Sequence, residues 1–300
     1  MLVFQTGKLI KAKIIKRPSS SIKTPYVADI QLVDDDYDVI DNNIYLAHSP
    51  SLGCCGLSDK DAIVCVSTNI KTNINPNTKT NYTVELCCFN ETKKNKTNIE
   101  YVSLKPKNAE YITFSCLQQT LVNNIPKLIT LEKEKKFLNS RFDFYGKDIN
   151  NQEYIFEVKT VPLAYYVDVP KKEYKKHQIY IDSCEFNEKI AYFPDGYRKN
   201  ANEPVSPRAL KHIQELEEIA LTTNISCNLI YVVQRTDIIY FQTSNIDLIY
   251  KKAVQKAWYN GVQIKVLQIK WNEEGEAYLH SNSLPIHLFD YYGPYILEDL

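Results

Sequence analysis

The stretch SRFDFYGKDINNQEYIFEVKT, residues 140–160, predicts a β-hairpin around which the rest of the chain is organised. Two runs rich in Phe, Tyr, Ile and Val flank a polar loop at 147–152. Because successive side chains of a strand point to opposite faces, we expect Phe142 and Phe144 on one face and Asp143 on the other. The first strand is therefore predicted to have one apolar face and one face with a carboxylate.

The second strand of the hairpin alternates in the same way. Phe156 and Val158 are expected on one face, and Glu157 and Lys159 on the other. If residues whose numbers sum to 300 face each other, Asp143 lies opposite Glu157. A slip of one residue would place Asp143 beside an apolar side chain, so the hydrophobic pattern favours this register.

The polar face of the hairpin has the residue types of a metal site. Two carboxylates a few Å apart repel each other and bind a hard divalent cation through oxygen. Asp143 and Glu157 are therefore candidate ligands for Mg²⁺ or Mn²⁺, and the Val158 carbonyl is a candidate third ligand. Lys159 would hold an attacking water or the charge that develops on a phosphoryl group. The alternative is a surface Glu–Lys pair of little energetic weight.

Composition places the chain among soluble globular proteins. It has 300 residues, 44% of them hydrophobic and 24% charged, which suits one large domain or two ordinary ones. Its 36 basic and 36 acidic residues cancel, so net charge does not indicate a general nucleic-acid binder. A local basic patch stays compatible with this balance, because charges are screened within about 10 Å at 0.1 M salt.

The sequence also predicts where the protein resides. The N-terminus has no apolar signal-peptide core and the chain has no run of 18 apolar residues, so we expect a cytoplasmic protein without a membrane span. The eight cysteines form no C-x-x-C motif, which favours reduced thiols. Abundant Asn, Ile, Lys and Tyr with little Gly indicate an AT-rich genome, such as that of a large DNA virus in the host cytoplasm.

Along the chain, the pattern predicts two domains and a tail. Short strands separated by polar turns predict an OB-like β-barrel domain at 1–107. A second domain is expected at 108–280, followed by a C-terminal tail at 281–300. Helices are predicted at 114–121 and 125–137, just before the hairpin, and Glu134 is the candidate catalytic carboxylate on the second of them.

Two further segments suggest phosphate contacts. Ser206 as N-cap and Pro207 at the first helical position predict a helix whose first turns contain cations. The apolar run NLIYVV at 228–233 predicts a strand buried on both faces, with polar side chains at its carboxyl end. The candidate nucleic-acid-binding residues of the whole chain are Arg141, Arg208, Lys211, His212, Gln234 and Arg235.

Several motifs in one order resemble the sugar fermentation stimulation protein (SfsA) family over most of the chain. They are NSRFDF, EVKTV, AYFPD, the KHIQEL helix, VVQRTD and GVQIKV. The resemblance implies an OB-like domain joined to a PD-(D/E)xK nuclease-like domain, and it implies DNA as the partner. It also assigns a metal-dependent nuclease role to Asp143, Glu157 and Lys159, with Glu134 beside them.

The predicted fold class is α/β, or α+β over the whole chain. An N-terminal OB-like barrel precedes a restriction-endonuclease-like mixed sheet with flanking helices. The predicted reaction is the hydrolysis of phosphodiester bonds in DNA. Two alternatives stay open at this point: a non-catalytic DNA-binding or regulatory protein that retains the nuclease fold, and a protein-interaction module with a vestigial site.

Overall fold

The computed structural model describes residues 1–50, 56–69, 79–194 and 203–289, and it shows a mixed α+β protein with few helices. The first strands are β1 (Leu2–Gln5), β2 (Leu9–Lys16), β3 (Val27–Leu32), β4 (Tyr45–His48), β5 (Ile63–Thr68), β6 (Tyr82–Lys93) and β7 (Lys96–Ser103). Helix α1 (Pro106–Gln118) follows, and then β8 (Leu128–Phe137), β9 (Ser140–Asp148), β10 (Glu153–Val161) and β11 (Ala164–Tyr165).

The remainder of the described chain alternates helices and strands. A 3-10 helix (Lys171–His177) leads into α2 (Gln178–Ser183) and β12 (Lys189–Phe193). The last elements are α3 (Pro207–Thr222), β13 (Ser226–Val233), β14 (Ile238–Thr243), α4 (Leu248–Tyr259), β15 (Gln263–Trp271), β16 (Glu276–Ser281) and β17 (Ile286–His287). None of the described helices is long and apolar enough to cross a membrane.

Strands β2 to β7 form a strand-rich unit, and short strands are what the sequence predicts for this part of the chain. Its six-stranded sheet has the order β4-β3-β2-β5-β6-β7, and a short parallel pairing joins β4 to β6. The alternating pattern of LIKAKIIK in β2 places Ala12 and Ile14 on one face of the strand. Both are buried in the core of the strand-rich unit. Ile30, Val64 and Val84 from the neighbouring strands pack against them.

A seven-stranded sheet of order β1-β16-β15-β13-β10-β9-β8 organises the rest of the molecule. Its central strands β10, β13 and β15 are parallel, and antiparallel pairs flank them. Strand β13 is buried on both faces, which confirms the prediction for 228–233. Ile230 and Val232 pack on the side of α1, whereas Leu229, Tyr231 and Val233 pack on the side of α3 and α4.

The prediction of a helix at 125–137 is wrong, because most of these residues form the strand β8 at the edge of the large sheet. Its Glu and Lys residues favour a helix locally, but pairing with β9 along its length overrides that preference. Charged side chains also suit an exposed edge strand, which they protect from pairing with other chains. The helix predicted at 114–121 starts earlier, with Pro106 in its first turn.

Each end of the described chain contributes a strand to a sheet formed mainly by other parts of the chain. Strand β1 pairs with β16, so residues 2–5 belong to the seven-stranded sheet and not to the strand-rich unit that follows them. Strand β17 lies in the predicted tail and pairs with β14 in a four-stranded sheet of order β11-β12-β14-β17. The rest of that tail, 290–300, lies outside the described residues, as does part of the AYFPD motif.

Candidate functional site

The hairpin of β9 and β10 forms in the predicted register. All four pairs of facing residues have numbers that sum to 300: Glu153 with Lys147, Tyr154 with Gly146, Ile155 with Tyr145, and Phe156 with Phe144. Beyond the last pair, the side chain of Asp143 takes part in holding the strands together. Its Oδ2 accepts a hydrogen bond from the backbone N–H of Val158 at 2.7 Å. Asp143 is therefore fixed beside the strand that contains Glu157.

The prediction that Phe142 and Phe144 share a face is wrong. The ring of Phe142 lies 5.8 Å from that of His212 on α3, whereas the ring of Phe144 lies 5.8 Å from that of Phe114 on α1. These helices cover opposite faces of the sheet. At the same point of the neighbouring strand β8, Glu134 has a φ of 57°, in the left-handed region that breaks regular strand geometry. The sheet is therefore distorted at the position of Asp143.

Glu157 is almost completely buried, with 2% of its surface exposed, and its two oxygens differ. Oε1 accepts from the ammonium of Lys159 and lies 2.5 Å from Nδ1 of His212. Oε2 is buried and has no hydrogen-bond partner among the residues that the structure describes. Burial acts to raise the pKa of Glu157, but Lys159 and His212 outweigh it and hold the pKa below its ordinary value.

The pKa of Asp143 is displaced in the opposite direction from that of Glu157. Burial raises its pKa from the ordinary 3.8 to about 7, and the nearby negative charge of Glu157 adds to this effect. The Val158 N–H and the Lys159 ammonium oppose the shift without cancelling it. Two carboxylates with pKa values displaced in opposite directions are a feature of functional sites, although ion-pair networks also displace them. We call Asp143, Glu157, Lys159 and His212 the carboxylate site.

Helix α1 contains a carboxylate that the sequence interpretation did not consider, Glu110, whereas the predicted Glu134 does not lie on a helix. Glu134 lies on the edge strand β8, is exposed, and pairs with Arg141 at 3.2 Å. Glu110 lies in α1, where it pairs with Lys107, and its charge contributes to the raised pKa of Asp143. The sequence interpretation missed Glu110 because it started the helix at 114. The proline at 106 is the signal that could have placed the helix earlier.

The predicted phosphate contacts on α3 divide into surface and interior residues. Arg208 and Lys211 are exposed, and Nζ of Lys211 donates to the Asn139 carbonyl at 3.0 Å, beside the turn between β8 and β9. Arg141 is exposed near the same turn. His212 is buried against Glu157, so the structure does not place it on a surface that nucleic acid could reach.

Gln234 and Arg235 are also inaccessible, contrary to the prediction that they contact nucleic acid. Gln234 has no exposed surface; its Oε1 accepts from the Trp271 indole at 2.9 Å, and its Nε2 donates to Thr160 at 3.2 Å. Arg235 is 2% exposed and donates to both carboxylate oxygens of Asp237 at 2.6 Å. Both side chains have partners in the interior, so they stabilise the fold.

Arg235 belongs to a buried group of charges between the strand-rich unit and the large sheet. Lys189 lies 3.0 Å from Asp237 and 2.9 Å from Glu91 on β6, and it is itself almost completely buried. The guanidinium of Arg235 lies 4.8 Å from the ring centre of Phe89, also on β6. We call Arg235, Asp237 and Lys189 the interface cluster.

Within the four described ranges, no group of three or more His, Cys, Asp and Glu side chains is arranged so that it could hold a metal ion. The ligand set predicted from the sequence is smaller, since it combines two carboxylates with the Val158 carbonyl. The buried and unpartnered Oε2 of Glu157 fits this set, because such an oxygen costs free energy unless a cation or a donor satisfies it.

Fold and site together define a mixed α+β protein in which a strand-rich N-terminal unit precedes a large mixed sheet with a buried carboxylate–lysine site. A family model described as "Sugar fermentation stimulation protein RE domain" matches residues 165–275. The matched region includes α3 and β13. It begins after β9 and β10, so it does not include the hairpin.

Relatives extend the likeness to most of the chain. A sugar fermentation stimulation protein homolog of Clostridium acetobutylicum is 24% identical over 266 residues, which are 88% of this chain and 91% of that protein. A homolog of Idiomarina loihiensis is 26% identical over 240 residues, 78% of this chain and 84% of that protein. The chain is therefore similar to proteins of the SfsA family over most of its length.

One solved structure has a similar fold. It is that of Pyrococcus furiosus SfsA in complex with Ca²⁺, with a TM-score of 0.67 and 15% sequence identity. The likeness covers 96% of this chain and 99% of that one. The two chains therefore share their fold over nearly their whole lengths, across both the strand-rich unit and the large sheet.

Proposed function

We propose that this SfsA-like protein binds DNA and hydrolyses its phosphodiester bonds with Mg²⁺ or Mn²⁺ at the carboxylate site. The observation that carries the proposal is that a buried and a half-buried carboxylate, Glu157 and Asp143, lie on neighbouring strands with pKa values displaced in opposite directions. Glu157 is ionised and has one oxygen without a partner, and Asp143 beside it has a pKa raised to about 7. A divalent cation would satisfy the free oxygen and remove the repulsion between the two groups.

The chemistry of the donor set supports a hard cation. Carboxylate and carbonyl oxygens are the ligands that Mg²⁺ and Mn²⁺ prefer, and the site offers them from Asp143, Glu157 and Val158. The Pyrococcus furiosus relative of similar fold is described in complex with Ca²⁺, another hard divalent cation. That ion belongs to the relative, and we propose a site of the same cation class here.

The residues of the site would divide the work as follows. Asp143 and Glu157 hold the cation, which when bound supplies Lewis-acid stabilisation of charge on the phosphoryl group. Lys159, whose side chain is partly accessible beside Glu157, holds the attacking water or the developing negative charge. The exposed cations Arg141, Arg208 and Lys211 contact phosphates and fix the register of the duplex without reading its sequence.

We further propose that the strand-rich unit is an OB-like barrel and that the large sheet has a PD-(D/E)xK core. The parallel pairing of β4 with β6 supports the barrel, since it brings the two ends of a five-strand order together. The helix α1, the β9–β10 hairpin and the parallel strand β13 support the core, because they position a carboxylate pair and a lysine at one place.

The test incubates plasmid and single-stranded DNA with Mn²⁺ and either wild-type protein or Asp143→Asn. Cutting by the wild type alone supports the proposed nuclease. Lys135→Ala is a suitable control, because Lys135 pairs with Glu132 on the nearby edge strand and has no contact with the carboxylate site. Equal cutting by wild type and Asp143→Asn would identify a contaminating nuclease and contradict the proposal.

A second candidate function is a non-catalytic DNA-binding or regulatory protein with the same fold. The observation in its favour is that Oε1 of Glu157 already has two hydrogen-bond partners within the protein, Lys159 and His212. This function predicts retention of DNA without cutting. A protein-interaction module predicts no retention even at about 50 mM salt, where phosphate contacts are strongest.

A further inference from the structure

We propose that His212 is a positioning residue for Glu157, and that it determines which carboxylate oxygen faces the metal. The inference rests on the proposed function and refines it by assigning a role to a helix outside the hairpin. It also replaces the sequence-based prediction that His212 contacts phosphate, since the imidazole points into the protein and not toward solvent.

Helix α3 holds the imidazole in a fixed position. Ser206 caps the helix by accepting from the N–H of Ala209, and Pro207 occupies its first turn. His212 lies on the buried face of the helix, and the Phe142 ring packs against its imidazole with centres 5.8 Å apart. An imidazole with this packing has little freedom to follow a moving partner.

The hydrogen bond assigns different roles to the two oxygens of Glu157. An ionised carboxylate has only acceptors, so Nδ1 of His212 carries the hydrogen and donates it to Oε1. The last torsion of a glutamate side chain has a broad energy minimum, so without a donor either oxygen could face the site. His212 fixes Oε1 and leaves Oε2 for the cation, which explains why Oε2 is the unpartnered atom.

Lys159 cannot perform this function throughout the reaction. It also binds Oε1, but the proposed role of its ammonium is to hold water or phosphoryl charge, and its flexible stem allows it to leave Glu157. When it leaves, His212 alone holds the carboxylate. Outer partners of this kind typically change metal affinity by about 10–100-fold when they are removed.

The experiment compares Mn²⁺ affinity by calorimetry for wild type, His212→Leu and His212→Gln at the same pH. We expect His212→Leu to bind Mn²⁺ about 10–100-fold more weakly. We expect His212→Gln, which keeps an N–H donor, to recover much of that loss. Ile219→Val is the matched control, because Ile219 is buried on the same helix and has no hydrogen bond to Glu157. Saturating Mn²⁺ should restore cleavage by His212→Leu, since the reacting groups are intact.

The outcomes separate the two proposals. If wild type takes up no Mn²⁺, the proposed function fails and the inference fails with it. If wild type binds and His212→Leu binds equally well, only the inference is overturned. Equal losses in His212→Leu and His212→Gln would also overturn it, because the effect would then follow from packing and not from the hydrogen bond.

A metal-free measurement covers the case in which His212→Leu does not fold. The imidazole ¹⁵N spectrum of wild type should show a protonated Nδ1 whose signal moves in Glu157→Gln. Identical His212 signals in the two proteins would overturn the inference, since the imidazole would then have no bond to that carboxylate.

Discussion

The interface cluster and the carboxylate site both bury acidic and basic side chains, but they satisfy them to different degrees. In the interface cluster, Asp237 receives two hydrogen bonds from Arg235 and a further contact from Lys189. Burial acts to raise the pKa of Asp237, yet the two cations hold it below its ordinary value. Every charge there has an opposite charge beside it.

The carboxylate site is incomplete by comparison. Lys159 and His212 both donate to one oxygen of Glu157, while the other oxygen has no partner among the described residues. The neighbouring Asp143 has its pKa raised to about 7 because it is buried next to a second negative charge. Removing one partner from a balanced buried group leaves an uncompensated charge and destabilises the fold. The unpartnered oxygen of Glu157 is instead where we propose that an additional cation binds.

The first prediction breaks the balanced cluster. Arg235→Ala leaves Asp237 buried with half of its partners, so we expect the free energy of unfolding to fall by about 3–5 kcal/mol. Urea unfolding measures this, and Arg141→Ala, on an exposed pair, should cost less than about 1 kcal/mol. A stable Arg235→Ala protein that had lost DNA affinity would contradict a structural role for Arg235 and would support the sequence-based prediction that it contacts DNA.

The second prediction concerns the ammonium group of Lys159 in the carboxylate site. Lys159→Ala should lower the rate of cleavage by about 10²–10³-fold, as the loss of a group that stabilises transition-state charge does. The free energy of unfolding should also fall, because the buried Glu157 keeps only His212 as a partner, so thermal unfolding must show that the variant is still folded. DNA affinity in a filter-binding titration should change little. Loss of cleavage together with unfolding would count against a catalytic role for Lys159.

The third prediction concerns pH in the metal-free protein. The folded pKa of Asp143 is raised from 3.8 to about 7. The stability that the protonated carboxyl contributes is therefore fully present below about pH 4 and is lost as the pH rises through about 7. In EDTA, wild type should lose on the order of 1–2 kcal/mol relative to Asp143→Asn between pH 5 and 8, after allowance for solvent screening. A difference between the two proteins that does not vary with pH would contradict the raised pKa.

The smallest expected effect is on Mn²⁺ affinity, and it distinguishes Glu110 from Glu134. Glu110→Gln removes a charge that acts on Asp143, so we expect Mn²⁺ affinity to change by about fivefold, equivalent to about 1 kcal/mol. Glu134→Gln breaks only an exposed pair with Arg141 and should change affinity by less than about twofold. Calorimetry on the two variants measures both effects, and a larger change in Glu134→Gln would restore the original assignment.

The sequence predicts the hairpin well because its information is local. Alternation of apolar and polar side chains determines the register of β9 and β10, and the structure confirms it in four pairs of residues. The same reasoning fails at β8, where local preference favours a helix and a long-range pairing decides for a strand. It also fails at Phe142 and Phe144, since alternation assumes a regular strand and this one is distorted.

The sequence by itself determined the buried central strand and the register of the hairpin that contains Asp143, Glu157 and Lys159. Tertiary structure alone decided that Glu110 and His212 complete their surroundings and that Arg235 lies inside the fold. The physical reason is that residue type specifies what a side chain can donate, accept or ionise. Burial and partners come from elements distant in the chain, and they determine which of those capacities stays unused.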